Sequence, residues 1–81
     1  MTIDEFMRDI APKMRDGYIA MDKNGDWRWF IRKPYIPASI PFPNCWFMRR
    51  PSPYNIKPLG MFIIALVEDW TQSLRKVGRN E

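Results

Sequence analysis

The chain has 81 residues, 46% of them hydrophobic and 15% aromatic, which is enough apolar material for one packed core and too little for two. One cysteine, Cys45, cannot form an internal disulfide, so a disulfide-stapled secreted scaffold is excluded and a reducing, cytoplasmic setting is expected. The net charge of +4 is unevenly spread: from Trp27 to Val67 stand the basic residues Arg28, Arg32, Lys33, Arg49, Arg50 and Lys57 with no acid among them, a balance that suits an acidic protein or a nucleic acid. The same charges also suit a solvated face that keeps a small protein soluble.

The opening Met1-Thr2-Ile3-Asp4-Glu5 has neither the basic nor the apolar segment of a signal peptide. The longest apolar run, Met61 to Val67, is too short to span a bilayer, so no membrane partner is expected. Thr2 followed by Glu5 forms a capping box, and Ile3, Phe6, Met7, Ile10 and Met14 recur at helical spacing, which predicts a helix over about 3–15. Pro12 should end or bend it near Ala11, because proline lacks an amide donor and clashes with the preceding turn.

Tyr18 to Met21 and Trp27 to Ile31 flank Asp22-Lys23-Asn24-Gly25-Asp26, where Asn24 and Gly25 accept the positive φ of a tight turn; a hairpin over about 18–32 is expected. In its second strand Trp27, Trp29 and Ile31 share a face that reads as core. Arg28, Phe30 and Arg32 share the other, which reads as surface.

Seven of the eight prolines fall between Pro34 and Pro58, which predicts a mostly extended region over 34–58. Inside it the proline-free island Cys45 to Arg49 is long enough to form a third strand. Beyond Pro58, Leu59, Phe62, Ile63, Leu66, Val67, Trp70, Leu74 and Val77 recur near a period of 3.6, predicting a helix over about 59–77 with Gly78 as its cap. Met61 to Leu66 also suits a buried strand leading into a shorter helix from Glu68. The expected fold is a single α+β domain: a small antiparallel three-stranded sheet with an N-terminal helix and a longer C-terminal helix.

Catalytic signatures are sparse. Without histidine and with one cysteine, neither the usual zinc site nor a cysteine–base pair can be assembled, and Cys45 reads as core packing. Asp22, Asn24 and Asp26 have the spacing that opens a calcium loop, but Trp27 stands where its glycine belongs and Lys33 where its bidentate glutamate belongs. The four glycines lie too far apart for a phosphate loop, and Glu68 and Asp69, adjacent on a helix, would point about 100° apart. No catalytic residue, cofactor or metal is expected, and the chain is read as a non-enzymatic binding protein.

The candidate contacts are Arg28, Arg32, Lys33, Arg49 and Arg50, with Tyr35 and Tyr54 as aromatic anchors on the proline-rich loops. Arginines interleave with rings in Trp27-Arg28-Trp29-Phe30-Ile31-Arg32-Lys33 and in Trp46-Phe47-Met48-Arg49-Arg50, as on single-stranded nucleic-acid platforms; the competing reading places these tryptophans in the core. Pro34-Tyr35-Ile36-Pro37 has PxxP spacing and is read as a stiffened connection.

The short first helix, the hairpin Tyr18-Ile19-Ala20-Met21-Asp22-Lys23-Asn24-Gly25-Asp26-Trp27, the Lys33-Pro34 step, Trp46, and the ending Glu68-Asp69-Trp70-Thr71-Gln72-Ser73-Leu74 together resemble small accessory proteins of bacteriophages. That resemblance implies a protein of the host bacterial cytoplasm that inhibits or redirects a host protein or complex, such as a CRISPR-type defence complex, by occluding its acidic surface. A nucleic-acid-binding module and a structural or assembly protein are the alternatives.

Overall fold

The computed structural model describes residues 1–60 and 64–78. A first helix, α1, spans Ile3–Asp9 and starts at the expected capping box: Thr2 accepts from the Glu5 amide at 3.1 Å while Glu5 accepts from the Thr2 amide at 2.9 Å. These bonds hold the Glu5 carboxyl below the usual carboxylate range, the Thr2 amide contributing most. Pro12 lies in a separate 3₁₀ turn at Ala11–Lys13, so the helix ends where proline chemistry requires.

The hairpin is formed by β1 (Gly17–Met21) and β2 (Trp27–Phe30), with Tyr18 opposite Phe30 and Met21 opposite Trp27. Its turn is closed by the Gly25 amide on the Asp22 carbonyl and by the Asp22 amide on the Asp26 carbonyl, both at 2.9 Å. Gly25 alone in this turn takes a positive φ, 94°, the left-handed step that ends a three-residue hairpin loop. The entry to β1 admits no side chain: a Cβ on Gly17 would lie 2.7 Å from the Trp29 Nε1.

Two short strands complete an antiparallel sheet. β3 (Ile56–Pro58) pairs with β2 and β4 (Arg75–Val77) pairs with β1, giving the order β3-β2-β1-β4. Among the described residues the sheet therefore has four strands rather than the expected three, and the island at Cys45–Arg49 is not one of them. Pro58 is accommodated because β3 is an edge strand, where an amide donor can be dispensed with.

The longer C-terminal helix is also absent among the described residues. Residues 64–69 are irregular, Trp70–Gln72 form one 3₁₀ turn capped by Asp69, and β4 follows; the portion expected over 61–63 lies outside the described residues. The apolar residues that mimic a helical stripe serve opposite sides of the sheet: Leu59 and Val77 belong to the cluster beneath α1, Leu74 to the cluster on the other face. Ser73 shows why a helix is not the better solution there. Its buried hydroxyl accepts from the Met21 amide at 2.8 Å and lies 2.6 Å from the Trp70 carbonyl, extending the β1 edge by a side-chain bond.

Both faces of the sheet are covered. On one, Ile19, Met21, Trp27, Trp29 and Val77 pack with Phe6 and Ala11 from the N-terminal segment. On the other, Ala20 and Phe30 pack beneath Trp46 and Met48, which ride on a strap formed by residues 34–48. The face that reads as surface in the sequence is thus interior, and Phe30 is 0% exposed.

Candidate functional site

A proline-rich strap cannot build its own ladder, so its attachment depends on specific bonds. Asp22, buried at the end of β1, accepts from the Trp46 amide at 3.0 Å and from Arg28 Nη2 at 3.1 Å. Arg28 Nη2 also donates to the Trp46 carbonyl at 2.8 Å, and Trp46 Nε1 donates to the Met21 carbonyl at 3.0 Å. Arg28 Nε lies 3.0 Å from Asp22 Oδ2, an ion-pair distance, yet off the line of a hydrogen bond. The Lys23 amide on the Asn44 carbonyl adds a backbone tie at 3.0 Å.

Arg28 is therefore a structural group. Its guanidinium is engaged by Asp22 and Trp46 and sits 5.0 Å from the Phe30 ring centre, which removes it from the expected contact surface. The first arginine–aromatic motif is dismantled in the same way, since Trp27, Trp29 and Phe30 are all buried. Trp46 is buried too, standing edge-on to Trp70 with ring centres 6.3 Å apart.

The outer face of the strap gathers most of the other expected residues. Tyr35 and Phe47 are directly opposed in an antiparallel bridge with two backbone bonds of 2.8 Å, so their side chains emerge on the same side. They are 46% and 36% exposed, while Trp46 and Met48 on either side of Phe47 point inward. Alternation along an extended chain thus gives the strap an inner packing face and an outer aromatic face. Sequence reading named Tyr35 but missed Phe47 as its partner; the signal available was the period-two pattern around Trp46 and Met48.

Arg32, Arg49 and Arg50 line one concavity of about 340 Å³ at the foot of this strap. Arg32 Nη2 donates to the Arg49 carbonyl at 3.2 Å. Arg50 occupies the left-handed region with φ 52°, unusual for a long side chain, and Asn55 Nδ2 holds its carbonyl at 3.3 Å. Among the described residues no carboxylate lies within ion-pair distance of these three guanidinium groups. Lys33 is exposed next to Arg32, and Tyr54, 79% exposed, sits beside Asn55.

Chemically, guanidinium groups stay protonated and offer several donors, so this cluster can hold an anion but cannot exchange protons with it. A larger concavity of about 690 Å³ beside the hairpin turn includes Asp22, Asp26, Arg28 and Cys45, but Asp22 and Arg28 are committed to each other and to Trp46. Among the described residues no cluster of three His, Cys, Asp or Glu is placed to hold a metal, and no helix is long and apolar enough to cross a membrane. No protein-family model, curated protein or solved structure matches the chain.

Proposed function

We propose that the protein is a non-enzymatic binding protein whose working surface is the outer face of the strap, and that it takes single-stranded nucleic acid. The observation that carries this reading is the side-by-side exposure of Tyr35 and Phe47, close in the chain to three arginines that have no carboxylate partner among the described residues. Rings of this kind stack on bases of any sequence, and guanidinium groups hold the phosphates between them. Sequence preference is expected to be weak.

The test is fluorescence anisotropy with labelled oligothymidylate over a range of salt. Engagement of three phosphates gives a log–log slope of about −2, and Tyr35→Ala with Phe47→Ala weakens binding by tenfold or more, at about 1–3 kcal/mol per stacked base. Absence of binding at low salt, or affinity indifferent to both rings, contradicts the reading.

A second reading is occlusion of an acidic surface on a bacterial host protein, in the manner of a phage accessory protein acting on a defence complex. It is supported by Phe42, which is 97% exposed at the tip of the strap with φ 53°. A bulky residue held in that region and bare to solvent has the form of an anchor for a partner's pocket. Retention of one discrete protein from nuclease-treated bacterial lysate, lost on Phe42→Ala, would favour it over nucleic acid.

A further inference from the structure

Arg32, Arg49 and Arg50 line one concavity, with Arg32 Nη2 spent on the Arg49 carbonyl, whereas a groove that only tracks a strand spreads its cations along successive phosphates. A phosphodiester inside a strand carries one negative charge and leaves two free oxygens. A terminal phosphate monoester carries about −1.5 to −2 at neutral pH and three strong acceptor oxygens. The convergence of Arg32, Arg49 and Arg50 matches the second group in both charge and donor number, since arginines bind such oxygens in bidentate fashion.

The backbone is arranged to hold that convergence. Arg50 is turned by its left-handed φ of 52°, a conformation a non-glycine residue adopts only at a cost, and Asn55 fixes the carbonyl that follows from it. Arg32 reaches across to the Arg49 carbonyl, joining the two ends of the strap at its foot. Two residues before Arg49 in the chain, Phe47 and its opposite Tyr35 present rings to solvent. A phosphate seated among the arginines would therefore place the adjoining nucleotides over the two rings.

We infer that the concavity formed by Arg32, Arg49 and Arg50 is a seat for the terminal phosphate of a single strand, which makes the protein an end-binder. This rests on the nucleic-acid reading and narrows it. The experiment compares oligothymidylates of about ten nucleotides, within the usual single-domain site size, that carry a 5′-phosphate, a 3′-phosphate or hydroxyls at both ends.

One phosphorylated end binds at least about tenfold more tightly than the hydroxyl strand, as one or more added charge-assisted hydrogen bonds require. The stronger of the two ends names the polarity. Arg49→Gln and Arg50→Gly, the second of which relieves the backbone rather than straining it, each weaken the phosphorylated strand more than the hydroxyl strand, so that the advantage falls below about twofold. Equal affinity for all three strands overturns the end-seat while leaving strand binding in place. Absence of binding to every strand removes the nucleic-acid reading itself. Equal affinity for an O-phosphoserine peptide of matched length, or for inorganic phosphate, overturns the strand as the occupant.

Discussion

The two faces of the sheet are covered by different physical means. Beneath α1, nine buried residues from Phe6 to Val77 form the cluster, apolar against apolar, with little polar bonding needed to orient them. Beneath the strap the buried cluster among the described residues is Ala20, Phe30, Trp46 and Met48, and the covering segment is fastened by Asp22, Arg28 and the Trp46 indole. A helix satisfies its own backbone and can be placed by area alone. A proline-rich strap leaves its backbone groups to be satisfied elsewhere, so its position is set by a few directional bonds. The same economy frees its outer side to carry rings and charges.

The comparison breaks most severely at Phe30. Phe30→Ala empties the centre of the strap face and is expected to cost about 3–5 kcal/mol in denaturant unfolding, a large share of the stability of a domain this size. A loss below about 1 kcal/mol would mean that the strap collapses onto the gap and that its packing is loose.

Asp22→Ala comes next. It leaves Arg28, whose side chain is 27% exposed, without its anion and Trp46 without its amide acceptor. Partial solvent access reduces the penalty of an unpaired charge below the fully buried range, to about 2 kcal/mol. The helix face offers the smallest effect: Thr2→Ala removes the Oγ1 acceptor of the Glu5 amide, at an expected cost of about 1 kcal/mol, and leaves the Thr2 backbone amide on the Glu5 carboxylate. The Glu5 pKa, lowered first by the Thr2 backbone amide and next by the Thr2 side chain, should then rise only in part in an NMR titration, because alanine keeps the amide. Because that pKa is depressed in the folded chain, the contribution of the cap is present above the ordinary carboxylate range and fades as pH falls through the folded value.

What could be read from the sequence follows the same division. The capping box, the break at Pro12 and the hairpin of Tyr18–Met21 with Trp27–Phe30 depend on residues close in the chain and are legible in local pattern. The pinning of Trp46 by Asp22 spans 24 residues and has no local signature, so Arg28 looked like a free contact and Phe30 like a surface residue. The prolines predict a mostly extended region over 34–58, whereas Pro58 pairs in the sheet at an edge position, which tolerates it. The three-residue strand β4 is too short to outweigh an apolar spacing that also fits a helix, and the alternate placement of Leu74 and Val77 appears only once the sheet is present.

Of the expected contacts, Arg32, Arg49 and Arg50 meet at one concavity because both ends of the strap return to the same foot, a closure that the Tyr35–Phe47 bridge enforces. Lys33 and Tyr54 stand exposed near it in the chain, and Arg28 is withdrawn.

The pinning of the strap is tested most directly by native-state hydrogen exchange at the Trp46 and Phe47 amides in the wild-type chain and in Asp22→Ala. Both amides are expected to be protected in the wild type, through Asp22 and through the Tyr35 carbonyl respectively. In Asp22→Ala both should lose protection while the amides pairing β1 with β2 keep theirs, the signature of a locally opening unit. Free exchange of the two amides in the wild type, or unchanged protection in the variant, would contradict a strap held by that carboxylate.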